Sequence, residues 1–218
     1  MTVRRPDSGV ARSPRIAVVE YGAGNLTSVL KGLTAVGADP FVTGNPHDVG
    51  AANAIVVPGV GNFAATDAIP ERMRDALVRA VAHGRPLLGI CLGLQFLFEG
   101  SDEAPGVRGL GLLKGRCYLL QGDVKVPHVG WNDLRIVRPS CLLTDVQDGS
   151  QVYFTHSYAA PVTDACVAET EYASRFAAAV ESDHVFGVQF HPEKSGTVGL
   201  RILRSFVSFA SVPCSRND

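Results

Sequence analysis

Three observations predict an α/β fold with a mostly parallel central sheet, helices on both faces and additional antiparallel strands. Apolar runs at residues 16–19, 54–57 and 87–88 are short and nearly continuous, as in strands buried on both faces. Between them lie stretches whose apolar residues recur at helical spacing. After about Gly111 the chain turns to shorter runs rich in β-branched and aromatic residues, the texture of antiparallel strands. Strand and helix alternation at this pace builds a sheet whose sites lie at the carboxyl ends of its strands.

The first strand is expected at residues 15–20. It leads through the turn Tyr21-Gly22-Ala23-Gly24-Asn25 into a helix whose stripe is Leu26, Val29, Leu30, Leu33 and Val36. Strand, glycine turn and helix suggest a dinucleotide site. However, Thr27 replaces the third glycine of GxGxxG, and no acidic residue follows at the required strand end. Residues 40–42 form a candidate strand and residues 54–57 a buried one, closed by Pro58-Gly59-Val60-Gly61. An amphipathic helix over residues 63–83, broken at Pro70, precedes the strand at Leu87-Leu88. Further strands are expected at 117–120, 134–137, 152–154, 165–168, 177–180 and 185–190, several of them as hairpins flanking the main sheet. Residues 198–209 form the closing helix.

The chain of 218 residues suits one large domain, with 46% hydrophobic and 19% charged residues. A formal net charge of −1 gives no electrostatic basis for binding nucleic acid or an anionic membrane. Five dispersed cysteines without a CxxC pair argue against a zinc or redox motif and fit a reducing, cytoplasmic setting. No segment approaches the roughly 18 apolar residues of a membrane span, and no secretory h-region is present at the N-terminus. Residues 1–14 are expected to be a frayed extension, residues 15–210 the functional domain, and residues 211–218 a tail.

The chemistry concentrates in GICLGLQFLFE, residues 89–99. Cys91 sits where a buried strand should turn sharply into a helix, and Gly89 and Gly93 leave room for that turn. At a helix N-terminus the backbone N–H groups favour a thiolate. A cysteine nucleophile needs a base and an orienting carboxylate. FGVQFHPEKSG supplies both as His191 and Glu193. The zinc-deaminase signature is incomplete without PCxxC, and HExxH is absent, so no metal and no cofactor are expected. The N–H of Leu92 is the first expected oxyanion donor, and the glycine-flanked Val60 offers the second.

Together these motifs resemble the class I, triad-type glutamine amidotransferases, which share G-x-C-x-G and H-P-E. The resemblance extends over residues 16–209 through YGAGN, PGVGNF, GLGLLKG, KVPHVGWN, YFTHSY and FHPEKSG. It implies a flavodoxin-like α/β fold in which Cys91 attacks the carboxamide of L-glutamine, His191 moves protons and Glu193 orients it. It also implies oxyanion donors at Leu92 and, after a flip of its peptide, Val60. Gly59, Gln95, Glu103, Ser157 and Tyr158 match glutamine-binding positions. VPHVGWN with PEKSG narrows the resemblance to members that form a heterodimer with a (β/α)8-barrel cyclase subunit and deliver ammonia to it. Tyr21, Asn25, Trp131, Tyr153 and Lys194 match the motifs lining that interface. Subunits serving other synthases, and a non-catalytic binding subunit of the same fold, are the alternatives.

Overall fold

The computed structural model describes residues 13–211. The extension and tail expected at the termini lie outside the described residues, apart from positions 13, 14 and 211. The first half of the chain runs β1 (Arg15–Val19), α1 (Leu26–Ala35), β2 (Asp39–Thr43), α2 (Pro46–Ala51), β3 (Ala54–Val57), a 3₁₀ turn (Phe63–Ala68), α3 (Glu71–Ala82), β4 (Leu87–Ile90) and α4 (Leu92–Leu97). The second half is mostly strand: β5 (Gly100–Ser101), β6 (Arg116–Leu119), β7 (His128–Asp133), β8 (Arg135–Ile136), β9 (Gln151–His156), β10 (Tyr158–Ala159), β11 (Cys166–Tyr172), β12 (Ser174–Ser182) and β13 (Val185–Val188). A 3₁₀ turn (Pro192–Lys194) and α5 (Gly196–Ala210) complete it.

The central sheet has eight strands in the order β2-β1-β3-β4-β13-β12-β11-β8. Every pairing from β2 to β13 is parallel. The pairings beyond β13 are antiparallel. The late strands therefore do more than flank the sheet, because β12, β11 and β8 extend it. Two smaller sheets, β10-β6-β5 and β7-β9, stand apart from it.

Alternation along the buried strands sends side chains to two separate apolar layers. Ile16, Val18, Val56 and Leu88 pack with Val29 and Leu33 of α1 and with Ile202, Leu203 and Phe206 of α5. Ile55, Val57 and Leu87 face the other way, toward Met73 and Leu77 of α3. The break at Pro70 is real. This residue caps α3 and separates it from the 3₁₀ turn, since proline cannot donate into a continuous helix. No described helix is long and apolar enough to cross a membrane.

The unanticipated α2 has six residues and buries only Val49, too little for a readable stripe. Its cap is local: the Asn45 side chain accepts from the His47 N–H, with Pro46 opening the helix. β7 was also unanticipated, because it turns Val129 and Trp131 outward, at 57% and 54% exposure.

Glycine sets the spacing between α4 and the sheet. A Cβ on Gly93 would lie 1.7 Å from the carbonyl oxygen of Val57 in β3, so α4 cannot retain its seat once that atom is added. Gly93→Ala should therefore lower unfolding free energy by about 3 kcal/mol, the upper end of ordinary overpacking costs. Urea denaturation measures it, and wild-type stability would show that α4 shifts freely.

Candidate active site

Cys91 joins β4 to α4 with φ 53 and ψ −106, a left-handed backbone that side-chain-bearing residues rarely adopt. Its N–H donates to the Val188 carbonyl at 2.8 Å, and its own carbonyl accepts the N–H of Gln95 at 3.1 Å. A Cβ on Gly89 would lie 2.6 Å from the Gly93 oxygen, which explains the need for glycine on the strand side as well. The bend places the sulfur against a cavity of about 260 Å³. Gln95, Glu103, Ser157 and Tyr158, separated along the sequence, all line that cavity beside Cys91 and Leu92.

His191 and Glu193 are buried together just beyond β13, the neighbour of β4. Nδ1 of His191 and Oε1 of Glu193 are 2.8 Å apart, and each side chain is 2% exposed. Tyr153 and Ser195 fix the main chain that carries the ring. The His191 N–H donates to Tyr153 O at 2.9 Å, its carbonyl accepts from Ser195 Oγ at 2.7 Å, and Ser195 Oγ accepts the Tyr153 N–H at 2.9 Å. Nε2 is buried and makes no hydrogen bond within the described residues. Burial opposes a charge on the imidazole, but the neighbouring Cys91 and Glu193 outweigh it and raise the pKa to about 9. Of these three side chains Cys91 alone lines the cavity.

The two expected oxyanion positions are adjacent but not yet assembled. The Leu92 N–H donates to the Gly59 carbonyl at 3.4 Å, so the Gly59-Val60 peptide points its oxygen where a second donor is needed. Gly59 lies too close to its surroundings to carry a side chain, since a Cβ there would meet the Tyr21 hydroxyl at 2.2 Å and Leu92 at 2.8 Å. Tyr21 donates its hydroxyl to Pro58 O at 2.8 Å. Burial and then the Cys91 charge push its pKa well above the usual phenol value, which keeps it a donor. Glu103 ties the other side of this turn to the cavity, accepting the Phe63 N–H at 2.7 Å.

The five positions assigned to an interface divide into two groups. Trp131 meets Tyr153 edge-on at 6.1 Å, and Lys194 Nζ lies 5.9 Å from the Tyr153 ring centre. Tyr21 faces Pro58 inside the fold, and Asn25 caps α1 by accepting the Ser28 N–H at 3.3 Å.

Three buried polar residues escaped the sequence reading. Tyr158 O can only accept, so His156 Nδ1, 2.9 Å away, carries a proton and Nε2 is left as an acceptor. Nδ1 of His128, at 3.3 Å, must then donate to it, and His128 Nε2 accepts from the Asn132 amide at 3.4 Å. The same Tyr158 carbonyl accepts from Gln95 Nε2 at 2.7 Å. Gln189 is fully buried with its amide between Gln95 and Cys91. A polar residue inside the apolar run VFGVQF was the available signal, because a buried amide must be hydrogen-bonded. Among the described residues no group of three or more His, Cys, Asp or Glu is placed to hold a metal ion.

A family model described as Glutamine amidotransferase class-I matches residues 17–208. The imidazole glycerol phosphate synthase subunit HisH of Methanothermobacter thermautotrophicus is 48% identical over 193 residues, covering 88% of this chain and 97% of that protein. The protein of the same name from Halobacterium salinarum is 48% identical over 209 residues, covering 92% and 95%. Among solved structures, a glutamine amidotransferase aligns with a TM-score of 0.71 at 19% identity, covering 90% of this chain and 99% of that one. PurLQS from Thermotoga maritima aligns with a TM-score of 0.69 at 22% identity, again covering 90% and 99%.

Burial pushes the pKa of His128 down to about 4. Burial first, then the neighbouring His128, pushes that of His156 down to about 3. Unfolded, both titrate near the ordinary 6.5 and take up protons that the folded chain refuses. Their contribution to stability is thus full above about pH 6.5 and is lost as pH falls toward 4 and then 3. The urea midpoint should drop between about pH 7.5 and pH 5, and a His128→Asn variant should show a smaller drop. An unchanged pH dependence in that variant would remove His128 from the account.

Proposed function

The chain belongs to the class-I glutamine amidotransferases, and from that premise we propose that it is the glutaminase subunit of an imidazole glycerol phosphate synthase. It hydrolyses L-glutamine to glutamate and ammonia, and a cyclase subunit uses the ammonia to make imidazole glycerol phosphate and aminoimidazole carboxamide ribotide for histidine biosynthesis. The observation that carries the glutaminase chemistry is the buried His191–Glu193 pair at 2.8 Å, with Cys91 near enough to the imidazole to raise its pKa.

In this reading the Cys91 thiolate attacks the carboxamide carbon of glutamine, forming a C–S bond and a tetrahedral oxyanion. His191 donates a proton from Nε2 to the leaving nitrogen, and ammonia departs as the C–N bond breaks. The glutamyl thioester remains. Water then loses a proton to His191 as it attacks, and glutamate leaves with regeneration of the thiolate. Glu193 keeps Nδ1 protonated and supports the charge that Nε2 acquires. Gln95, Glu103, Ser157 and Tyr158 hold the amino-acid end of the substrate in the cavity they line.

The oxyanion site needs one rearrangement. Turning the Gly59-Val60 peptide over removes the Gly59 oxygen from the Leu92 N–H and presents the Val60 N–H beside it, giving two donors. The partner is a (β/α)8-barrel cyclase, and the two form a heterodimer in the cytoplasm that delivers ammonia before it is protonated by bulk water. Support for the docking face comes from the outward Val129 and Trp131 on β7 and from Tyr153 and Lys194 next to them.

Glutamate release should be slow for the isolated chain and rise about a hundredfold when the cyclase and its nucleotide ligand are added, the usual worth of one oxyanion donor. Cys91→Ser should lower the activated rate by roughly a thousandfold or more without preventing complex formation. A rapid rate in the isolated chain that the cyclase leaves unaltered would refute the peptide rearrangement, and an active serine variant would refute the nucleophile.

A further inference from the structure

We propose that Gln189 is a catalytic residue that donates a side-chain N–H to the sulfur of Cys91 while its amide oxygen holds Gln95, joining the nucleophile to the wall of the substrate pocket. The inference deepens the glutaminase reading and rests on Cys91 as nucleophile.

The polarity of this amide is fixed by its surroundings. The Ala160 backbone N–H can only donate, so the Gln189 atom 3.3 Å from it is the oxygen. Tyr158 O can only accept, so the Gln95 atom 2.7 Å from it is the nitrogen. That same nitrogen faces Gln189 Oε1 at 3.4 Å, in agreement with the first assignment. Nε2 of Gln189 is therefore the atom directed at Cys91 Sγ, 3.8 Å away. Gln189 has no solvent exposure, and its own backbone N–H is taken by Ala178 O at 2.9 Å.

The sulfur has a second polar neighbour of opposite character. Thr155 O lies 3.9 Å from Sγ and accepts only, so it matches the protonated thiol. Once His191 has the proton, that carbonyl repels the sulfur and the Gln189 N–H attracts it. Gln189 thus favours the charged nucleophile before attack. It also favours the same charge again when the C–S bond of the thioester breaks and the electron pair returns to sulfur. In the thioester itself the sulfur is a poor acceptor, so the contact is strongest at the two points where negative charge sits on sulfur.

Two substitutions separate this role from simple core packing. Gln189→Glu retains an oxygen for Ala160 and Gln95 and, when ionised, turns an acceptor toward the sulfur. Gln189→Met removes every polar contact without adding charge. The rate of Cys91 alkylation by iodoacetamide is followed by intact mass from about pH 6 to 9 on the full chain, and glutamate release is measured with the cyclase present. Q189E should slow alkylation at neutral pH by about tenfold to a hundredfold, the worth of a hydrogen bond to a charged atom, and displace the pH profile upward. Its kcat should fall by a similar factor with KM within about twofold. Q189M should show the same alkylation loss together with a raised KM, because Gln95 also loses a partner. Wild-type alkylation in folded Q189M, which lacks any donor, overturns the proposal. If Cys91→Ser, run in parallel, still released glutamate, the nucleophile reading would fail instead, so the two failures are distinguishable.

Discussion

The left-handed backbone of Cys91 is the constraint on which the rest of the molecule depends. A conformation of this kind costs about 1–3 kcal/mol and persists only where its surroundings leave no alternative. Here the surroundings are the Val188 carbonyl on one side and the close seat of Gly93 against Val57 on the other. Release of either would let Cys91 relax into an ordinary strand or helix, and its sulfur would withdraw from the cavity. The two buried apolar layers, the short α4 and the parallel pairing of β3, β4 and β13 all keep those supports in position.

The sheets divide the work. The large sheet presents the proposed reactive groups, because β4 and β13 are neighbours and carry Cys91 and His191 just past their carboxyl ends. The two small sheets supply part of the cavity wall: Thr155, His156 and Tyr158 come from β9 and β10. The histidine chain from Asn132 through His128 and His156 to the Tyr158 carbonyl links the two roles. Neutral histidines with fixed tautomers hold an acceptor for Gln95 without placing a charge beside the cavity.

Much of this was legible in the chain itself. The apolar runs marked the buried strands, Pro70 marked the helix break, and the spacing around Cys91 marked the turn. Gln95, Glu103, Ser157 and Tyr158 were reached through resemblance, and the fold does bring them to one cavity. Other features depend on partners far apart in sequence and leave little local trace. The attachment of β12, β11 and β8 to the main sheet is of this kind, since a hairpin pattern does not say which edge it joins. Gln189 reads locally as one polar residue in an apolar strand, and its partners lie 94 and 98 positions away. Tyr21 reads as a turn aromatic until Pro58 is seen against its hydroxyl.

The carbonyl of Gly59 resting on the Leu92 amide has a consequence for cellular economy. On the proposed reading, a subunit whose charge-stabilising pocket is stopped by its own main chain would turn over only slowly when made in excess, so the two genes of such a pair would need no strict stoichiometry. Surplus copies would spare the nitrogen pool rather than drain it, and only copies seated on a working partner would draw on it.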